Sequence, residues 1–332
     1  MPEKALQELK ALKGRTLISA HSLADADALA SAFAAAKIVP GAVVAFPDKP
    51  AAHATKIAEA TGLKIRLLKK GELNEFDNAV LVDVSTSSLL GSLASEFEEF
   101  AHKKKLVVID HHLHSKKIPG AKCHVLPNRS SCSEILHEML KKNKTKKDWR
   151  TALLLAAGIL SDTAFLKSAN SSSYAALGEL LAFLESKDWN YEKVRSLVLP
   201  RPDLSQRIAV LKALSSARVY SLEAGKHKFV AAVAQSHAFE LQCAAALTEA
   251  GADYAFVGND HEGRISGVKA EGMQGASIGK LMEIIGKAMR GSGGGHDFVG
   301  GAKGSPELVA RALSECVNEA AAFHGARVKQ IF

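Results

Sequence analysis

The chain has 332 residues, of which 47% are hydrophobic and 23% charged, an ordinary globular composition that excludes a disordered chain, a collagen and a coiled coil. At about 150 residues a domain, this length predicts two domains. The formal net charge of +8 favours an anionic partner such as nucleic acid or a nucleotide. None of the four cysteines forms a C-x-x-C pair, so the sequence supports neither a zinc knuckle nor a disulfide scaffold.

The beginning of the chain is amphipathic and charged, and it lacks the apolar core of a signal peptide. The most apolar stretches, such as Thr151–Leu160, are too short to span a bilayer. We therefore expect a cytoplasmic protein that does not bind a membrane.

Short apolar segments alternate with helix-like segments over the first half of the chain. The predicted strands are Thr16–Ala20, Ala42–Phe46, Lys64–Leu68, Ala79–Val84 and Leu106–Asp110. Near-continuous apolar strands separated by helices are typical of a parallel sheet covered on both faces. The helices are predicted over Ala26–Ile38 and Ala51–Ala60, from the capping box Ser131-x-x-Glu134 onwards, and over Asp148–Leu160 and Ser173–Glu185.

Pro200 and Pro202 interrupt a helical stretch and mark the expected joint between two domains. Strands are predicted beyond it at His227–Ala234, Tyr254–Gly258 and Gly263–Ala270, and helices at Ser236–Ala250, Ala276–Met289 and Pro306–Phe323. The predicted fold class is α/β, with a doubly wound parallel sheet over residues 1–190, a helical linker over 191–212 and a smaller mixed α/β domain over 213–332.

Acidic residues and histidines fall at the carboxyl ends of three predicted strands. They are His21 with Asp25 and Asp27, then Asp83, then the triplet Asp110, His111 and His112. A further acid, Asp162, follows an apolar helix. Because an open parallel sheet binds ligands outside the carboxyl ends of its strands, these side chains are expected at one edge.

Carboxylates gathered this closely would repel one another unless cations neutralised them. Aspartate and histidine together suit Mn²⁺, with Mg²⁺ as the alternative, rather than a thiolate-bound metal. Two such ions about 3.5–4 Å apart would clamp an attacking hydroxide and a phosphoryl oxygen. A lone aspartate at a strand end is usually a cap or turn residue, so it is the coincidence at three strand ends that favours a metal site.

Four segments, taken in order, resemble the motifs of the DHH phosphoesterase superfamily: HSLADADALAS, LVDVS, VVIDHHLHS and GILSDTAFLKSANSSSYAAL. The later segment GSGGGHDFVGGAKG resembles the G-G-H signature of the DHHA1 domain. The resemblance implies a DHH domain, a connecting helix and a DHHA1 domain, with the active site in the cleft between the domains.

The same resemblance implies two Mn²⁺ ions, with Asp83 bridging them. The ligands of the first ion would be His21, Asp25 and Asp83. The ligands of the second would be Asp27, Asp83, His111 and Asp162. His112 resembles the histidine that contacts the scissile phosphate and assists the leaving group, and Asp110 would orient a histidine.

The glycine-rich segment resembles a loop that grips the terminal phosphate or nucleotide of a substrate. Its residues are Gly293, Gly294, Gly295 and His296. Glycine allows backbone N–H groups to approach an anion closely. Either Arg264 or Lys269 would be the accompanying cation, and the sequence does not choose between them. Asp297 is unfavourable beside a phosphate unless it points away, which leaves the identity of the substrate open.

The resemblance implies a manganese-dependent phosphodiesterase that degrades short oligonucleotides or single-stranded nucleic acid to mononucleotides. Alternatives with the same site are a 3′-phosphoadenosine 5′-phosphate phosphatase and a cyclic dinucleotide phosphodiesterase. A family II pyrophosphatase is disfavoured because its second domain lacks the G-G-H loop. A non-catalytic scaffold that binds nucleic acid is disfavoured because all six ligand positions are filled. The preference for RNA or DNA, the direction of attack and the formation of a homodimer stay open.

Overall fold

Two units make up the chain in the computed structural model, which describes residues 2–112, 118–199 and 202–331. They are Met1–Arg201 and Pro202–Phe332. Each unit has its own β-sheet and its own buried hydrophobic clusters, so each is described by itself.

The first unit contains a five-stranded sheet in which every pair of neighbouring strands is parallel. Its strands are β1 (Thr16–Ser19), β2 (Val43–Val44), β3 (Asn78–Val82), β4 (Lys105–Asp110) and β5 (Lys122–Val125), in the order β2-β1-β3-β4-β5. All residues of β1 and β3 are buried, as expected for central strands of a sheet covered on both faces.

Eight helices accompany this sheet among the described residues. They are α1 (Pro2–Lys10), α2 (Ala26–Ala36), α3 (Ala52–Ala60), α4 (Ala94–Lys103), α5 (Cys132–Lys142), α6 (Trp149–Asp162), α7 (Ser171–Glu185) and α8 (Tyr191–Val198). Short 3₁₀ helices lie at Glu72–Glu75 and Ser87–Leu93. On one face of the sheet Ile18 and Val107 pack with α2, α5 and α6. On the other face Leu17 and Val108 pack with α4, so the sheet is doubly wound as predicted.

The capping box predicted for α5 is present at its serine but not at its glutamate. Ser131 is the N-cap residue, and its hydroxyl accepts a hydrogen bond from the backbone N–H of Glu134 at 3.1 Å. The Glu134 carboxylate instead bonds to Arg129, Ser172 and Ser173.

One predicted strand of this unit is largely absent from its sheet, and one strand of the sheet was not predicted. The predicted strand Lys64–Leu68 contributes only an isolated bridge between Leu67 and Phe46, because Lys64, Arg66 and Leu67 are exposed at the margin of the sheet. Strand β5 was not predicted, since its sequence KCHV alternates polar and apolar residues and none of them is fully buried.

The second unit contains a seven-stranded mixed sheet. Its strands are β6 (Arg218–Ala224), β7 (His227–Gln235), β8 (Tyr254–Asn259), β9 (Arg264–Lys269), β10 (Ser292–Gly295), β11 (Val299–Lys303) and β12 (Arg327–Gln330), in the order β10-β11-β9-β8-β7-β6-β12. Only β7 and β8 pair in parallel among the described strands of this sheet. The sequence analysis missed β6, β10, β11 and β12.

Four helices and a short 3₁₀ helix, Pro306–Leu308, cover this second sheet within the described residues. They are α9 (Leu204–Ser216), α10 (Glu240–Glu249), α11 (Ile278–Ala288) and α12 (Val309–Phe323). Helices α11 and α12 bury Tyr254 and Phe256 on one face, and α9 and α10 bury Ala255 and Val257 on the other.

Residues 191–212, predicted as a helical linker, contain parts of both units. Val194 and Val198 of α8 are buried in the core of the first unit, whereas Ala209 and Val210 of α9 pack against a buried cluster of the second. No helix in the described parts of the chain combines the length and the apolar character needed to cross a membrane.

Candidate metal centre

The carboxyl ends of three adjacent parallel strands bring the predicted metal ligands of the first unit together. His21 follows β1, Asp83 follows β3, and Asp110 is the last residue of β4. Asp27 lies in the first turn of α2, and Asp162 is the last residue of α6. Strand direction therefore explains why residues so far apart in sequence share one edge.

Backbone N–H groups at two helix starts hold the first two aspartates. Asp25 is the N-cap of α2, and its Oδ1 accepts hydrogen bonds from the N–H groups of Asp27 and Ala28 at 2.9 and 3.0 Å. The fully buried Asp27 carboxylate accepts bonds from Cys132 N and Ser133 N, both at 2.7 Å. These donors open α5, where the helix dipole stabilises a negative charge.

Asp83 lies between the two predicted ligand groups. Its Oδ2 is 3.7 Å from Nε2 of His21, and its Oδ1 is 3.5 Å from Nε2 of His111. The residue is buried and has a φ of 57°, and its backbone N–H donates to Ile109 O at 2.9 Å.

Two groups of potential ligand atoms lie side by side. Within each group, the atoms all fall within 4.8 Å of one another. The first group is His21, Asp25 and Asp83, and the second is Asp27, His111 and Asp162. The six predicted ligands therefore lie together, and Asp83 also falls into a group with His111 and His112 and into another with Asp27 and Cys132.

Buried polar atoms in the site show that its residues fit metal ions. Asp83 Oδ1 and His111 Nε2 are shielded from solvent, and neither makes a hydrogen bond of good geometry with the described residues. Such atoms are rare in native structures unless a water or an ion satisfies them. A donor set of carboxylates and imidazoles suits Mn²⁺ or Mg²⁺.

The electrostatics of the site point in the same direction. Burial, followed by the nearby Asp162 and Asp83 carboxylates, raises the pKa of Asp27. Burial raises the pKa of Asp162, the imidazole of His111 3.1 Å away lowers it, and the Asp83 carboxylate raises it again. Burial would lower the pKa of His111, but Asp162, Asp83 and Asp27 raise it to about 11. Without a bound cation, the negative charge of these buried carboxylates therefore exceeds the positive charge that nearby side chains supply.

His112 and Asp110 form a hydrogen-bonded pair beside this cluster, with His112 Nδ1 also 3.6 Å from Asp83 Oδ1. Nδ1 of His112 is 2.8 Å from Oδ1 of Asp110, which is fully buried and also accepts from the backbone N–H groups of His111 and His112. This bond is the main cause of the raised pKa of His112. The pair occupies Nδ1 and leaves Nε2 of this half-exposed ring for a ligand.

The sequence analysis missed Gly158, although a glycine inside an apolar helix is itself a signal of close packing. A Cβ atom at this position of α6 would lie 2.1 Å from Ser133 Oγ and 3.0 Å from Asp27 Oδ1. Glycine here lets α6 approach the helix start that holds Asp27.

In the second unit, Arg264 and Lys269 stand at opposite ends of β9. Five steps along a strand separate their backbones by roughly 16 Å, so the two cations do not serve one small anion together. Lys269 Nζ is 2.8 Å from Asp297 Oδ2, beside His296. Arg264 pairs instead with Glu262 at 2.7 Å. The structure places Lys269 beside the turn of the glycine-rich segment, where it neutralises Asp297, and it places Arg264 opposite Lys303 at the other end of that segment.

The glycine-rich segment is a β-hairpin and not a loop, which corrects the expectation from the sequence. Strand β10 pairs antiparallel with β11, with Gly294 opposite Gly301. A Cβ on Gly293 would lie 1.9 Å from Met282 O of α11, and a Cβ on Gly295 would lie 2.4 Å from Gly300 Cα. A Cβ on Gly294 would meet no described atom within 4 Å. Internal packing thus requires two of the three glycines, and Gly294 faces open space.

Comparison with known proteins identifies the first unit. Residues 15–159 match the model of the DHH family, N-terminal domain. The chain is also 31% identical, over 246 residues, to an uncharacterized protein of Methanocaldococcus jannaschii, a match that covers 70% of this chain and 71% of that protein.

Solved structures share the fold of the whole chain. An exopolyphosphatase-related protein from Bacteroides fragilis superposes with a TM-score of 0.70 at 15% identity, covering 98% of this chain and 97% of that one. The exonuclease RecJ bound to manganese superposes with a TM-score of 0.56 at 13% identity, covering 97% and 94%.

Proposed function

The chain belongs to the DHH phosphoesterase superfamily, and from this premise we propose that it is a manganese-dependent phosphodiesterase that degrades short oligonucleotides or single-stranded nucleic acid to mononucleotides. The observation that carries the proposal is the pair of adjacent ligand groups at the carboxyl ends of β1, β3 and β4, which approach each other at Asp83.

Two divalent ions would be held by the side chains gathered there. His21, Asp25 and Asp83 would hold one ion, and Asp27, Asp83, His111 and Asp162 would hold the other. Bound ions of this kind polarise a phosphoryl oxygen and activate water for attack on phosphorus at neutral pH. The helix start at Cys132 and Ser133 positions Asp27 for this task.

His112 would donate a proton to the leaving oxygen. Asp110 holds its Nδ1 and raises its pKa, so the ring stays protonated to a higher pH and can act as an acid through Nε2. His112 is thus the proposed catalytic residue, and Asp110 is a positioning residue that acts through it.

The hairpin of the second unit would bind the remainder of the substrate. A phosphate or sugar would occupy the open space beside Gly294, where a Cβ would meet no described atom within 4 Å, and His296 lies in the adjoining turn. Nucleic acid as the substrate class is supported by the net charge of +8 and by the fold shared with the exonuclease RecJ.

A second candidate is a phosphatase that acts on a small nucleotide such as 3′-phosphoadenosine 5′-phosphate. The observation that favours it is the ion pair between Lys269 and Asp297 at the hairpin turn. This pair removes a free cation from the place where a longer polyanion would need one.

A panel of substrates with Mn²⁺ tests these proposals. It contains end-labelled RNA and DNA from dinucleotides to long single strands, 3′-phosphoadenosine 5′-phosphate, cyclic dinucleotides and pyrophosphate. We expect release of mononucleotides, fastest from the short oligonucleotides. Asp83→Asn serves as the control for a contaminating nuclease, because it removes the proposed bridging charge. Hydrolysis of the phosphoadenosine compound or pyrophosphate alone would overturn the leading proposal.

A further inference from the structure

We propose that the second unit carries a binding site for a zinc-like divalent ion, formed by His237, Asp260 and His261. This site has its own ligands and a different donor chemistry from the centre on the first unit. The proposal does not depend on the function proposed above.

The topology of the second sheet gathers these residues. Strands β7 and β8 are parallel, with Gln235 opposite Gly258. His237 follows the carboxyl end of β7, and Asp260 and His261 follow that of β8. Ser236 N–H donates to Gly258 O at 2.9 Å and ties the two strand ends together. Adjacent parallel strands therefore bring three ligands to one edge here as well.

The distances suit a single ion. The three ligand atoms lie within 4.8 Å of one another, and His237 Nε2 is 3.1 Å from Asp260 Oδ1. The rings of His237 and His261 are stacked, with centroids 3.9 Å apart. Ligands bound at about 2.0–2.2 Å in a tetrahedral site are themselves roughly 3.3–3.6 Å apart, so the spacing of the ligand atoms fits one ion once the stacked rings turn to direct their nitrogens at it.

The turn that carries two of the ligands is already held in place. Asn259 is fully buried, and its Oδ1 accepts hydrogen bonds from the N–H groups of His261 and Glu262, both at 3.1 Å. Its Nδ2 donates to the largely buried Glu240. A backbone ordered in advance lowers the entropic cost of binding.

The charge around the cluster favours a cation. Asp260 Oδ1 is shielded from solvent and makes no hydrogen bond of good geometry with the part of the chain that the structure describes. Glu240 and Glu262 add two carboxylates, and Arg264 pairs with both, at 3.5 and 2.7 Å. Among the acidic groups and the arginine, three carboxylates face one guanidinium, which leaves a negative surplus.

The donor set indicates which ions would bind. Two imidazole nitrogens and one carboxylate oxygen suit Zn²⁺ and similar transition metals, whereas Mg²⁺ and Ca²⁺ prefer oxygen ligands alone. The exposed rings of His237 and His261 leave the remaining coordination positions to water. The aspartate-rich centre of the first unit instead suits Mn²⁺ or Mg²⁺.

Zinc stoichiometry of the full-length protein tests this assignment. Wild type, His237→Asn and His261→Asn are dialysed against Zn²⁺, and the bound metal per chain is measured by atomic emission. Each variant should bind about one ion fewer than wild type. His227→Asn is the matched control, because His227 is an exposed histidine at the opposite end of β7 and its loss should leave the stoichiometry unchanged.

Imidazole resonances of the wild-type protein give a second readout that requires no variant to fold. Added Zn²⁺ should shift the signals of His237 and His261 together and leave that of His227 in place. Equal zinc content in wild type and both cluster variants, or unshifted His237 and His261 signals, would overturn the proposal.

Discussion

At the scale of single residues, the backbone of Asp83 matters as much as its charge. A φ of 57° places this residue in the left-handed region, which aspartate tolerates better than most non-glycine residues. From that position its two oxygens face His21 on one side and His111 on the other. Asparagine shares this tolerance, so Asp83→Asn removes the charge with less backbone strain than Asp83→Ala.

Substitutions of the adjacent residues His111 and His112 are expected to have different effects on metal binding and turnover. His111→Asn should reduce bound manganese, because Nε2 of His111 faces Asp83 and Asp162 at 3.5 and 3.1 Å. His112→Asn should keep its manganese but lower turnover by about 10²–10⁴-fold, the usual contribution of a general acid. Metal analysis and kinetics on the same preparations separate the two effects. Equal loss of metal in both variants would contradict the division of roles.

At the scale of secondary structure, the contact between α6 and the start of α5 supports the metal centre. Alanine in place of a helical glycine usually stabilises a helix by about 1 kcal/mol. Gly158→Ala should do the reverse, because the new Cβ would lie 2.1 Å from Ser133 Oγ. We expect a lower melting temperature and at least tenfold weaker manganese binding, measured by thermal melts and titration.

Gly178→Ala is the matched control for this substitution. Gly178 lies in α7, and a Cβ there would meet no described atom within 4 Å. This variant should be at least as stable as wild type and bind manganese normally. If both glycine variants behaved alike, helix propensity and not the contact with Ser133 and Asp27 would explain the result.

The hairpin β10–β11 offers a second comparison between glycines. Gly293→Ala should destabilise the second unit, since its Cβ would lie 1.9 Å from Met282 O. Gly294→Ala should leave the melting temperature unchanged but raise KM for an oligonucleotide, because the methyl group would occupy the space proposed for the substrate. Unchanged KM in Gly294→Ala would remove the hairpin from substrate binding.

At the scale of the whole molecule, each unit has its own hydrophobic core. We therefore predict that bound Mn²⁺ raises the thermal stability of the first unit alone. Mn²⁺ at about 100 times its Kd should stabilise the unit that binds it by about 2.7 kcal/mol, which corresponds to about 5–10 °C for some 200 residues. Scanning calorimetry should show one unfolding transition at a higher temperature and the other unchanged. The second unit should not respond, since the cluster of His237, Asp260 and His261 is poor in the oxygen ligands that Mn²⁺ favours. EDTA should reverse the shift, and Asp83→Asn should lack it. A uniform shift of both transitions would contradict independent units.

The doubly wound sheet and the gathering of the ligands could be predicted because the signals are local. A buried parallel strand is a short apolar run, and an aspartate or histidine directly after it is visible in the sequence, as at Leu106–Asp110. Strand β5 lacked that signal because it is a half-exposed edge strand. Strands β10 and β11 lacked it because glycine disfavours strands, and here the close approach of α11 and the pairing with β9 override that preference.

The sequence by itself determined which residues end the parallel strands and therefore which side chains meet at the first centre. Only the tertiary structure decided that Lys269 lies at the hairpin turn and Arg264 at the other end of the hairpin, that Gly158 makes room for Asp27, and that His237 meets Asp260 and His261. Each of these depends on strand register or on the distance between two packed elements. Neither is encoded in a local pattern, because both arise from contacts between segments far apart in the chain.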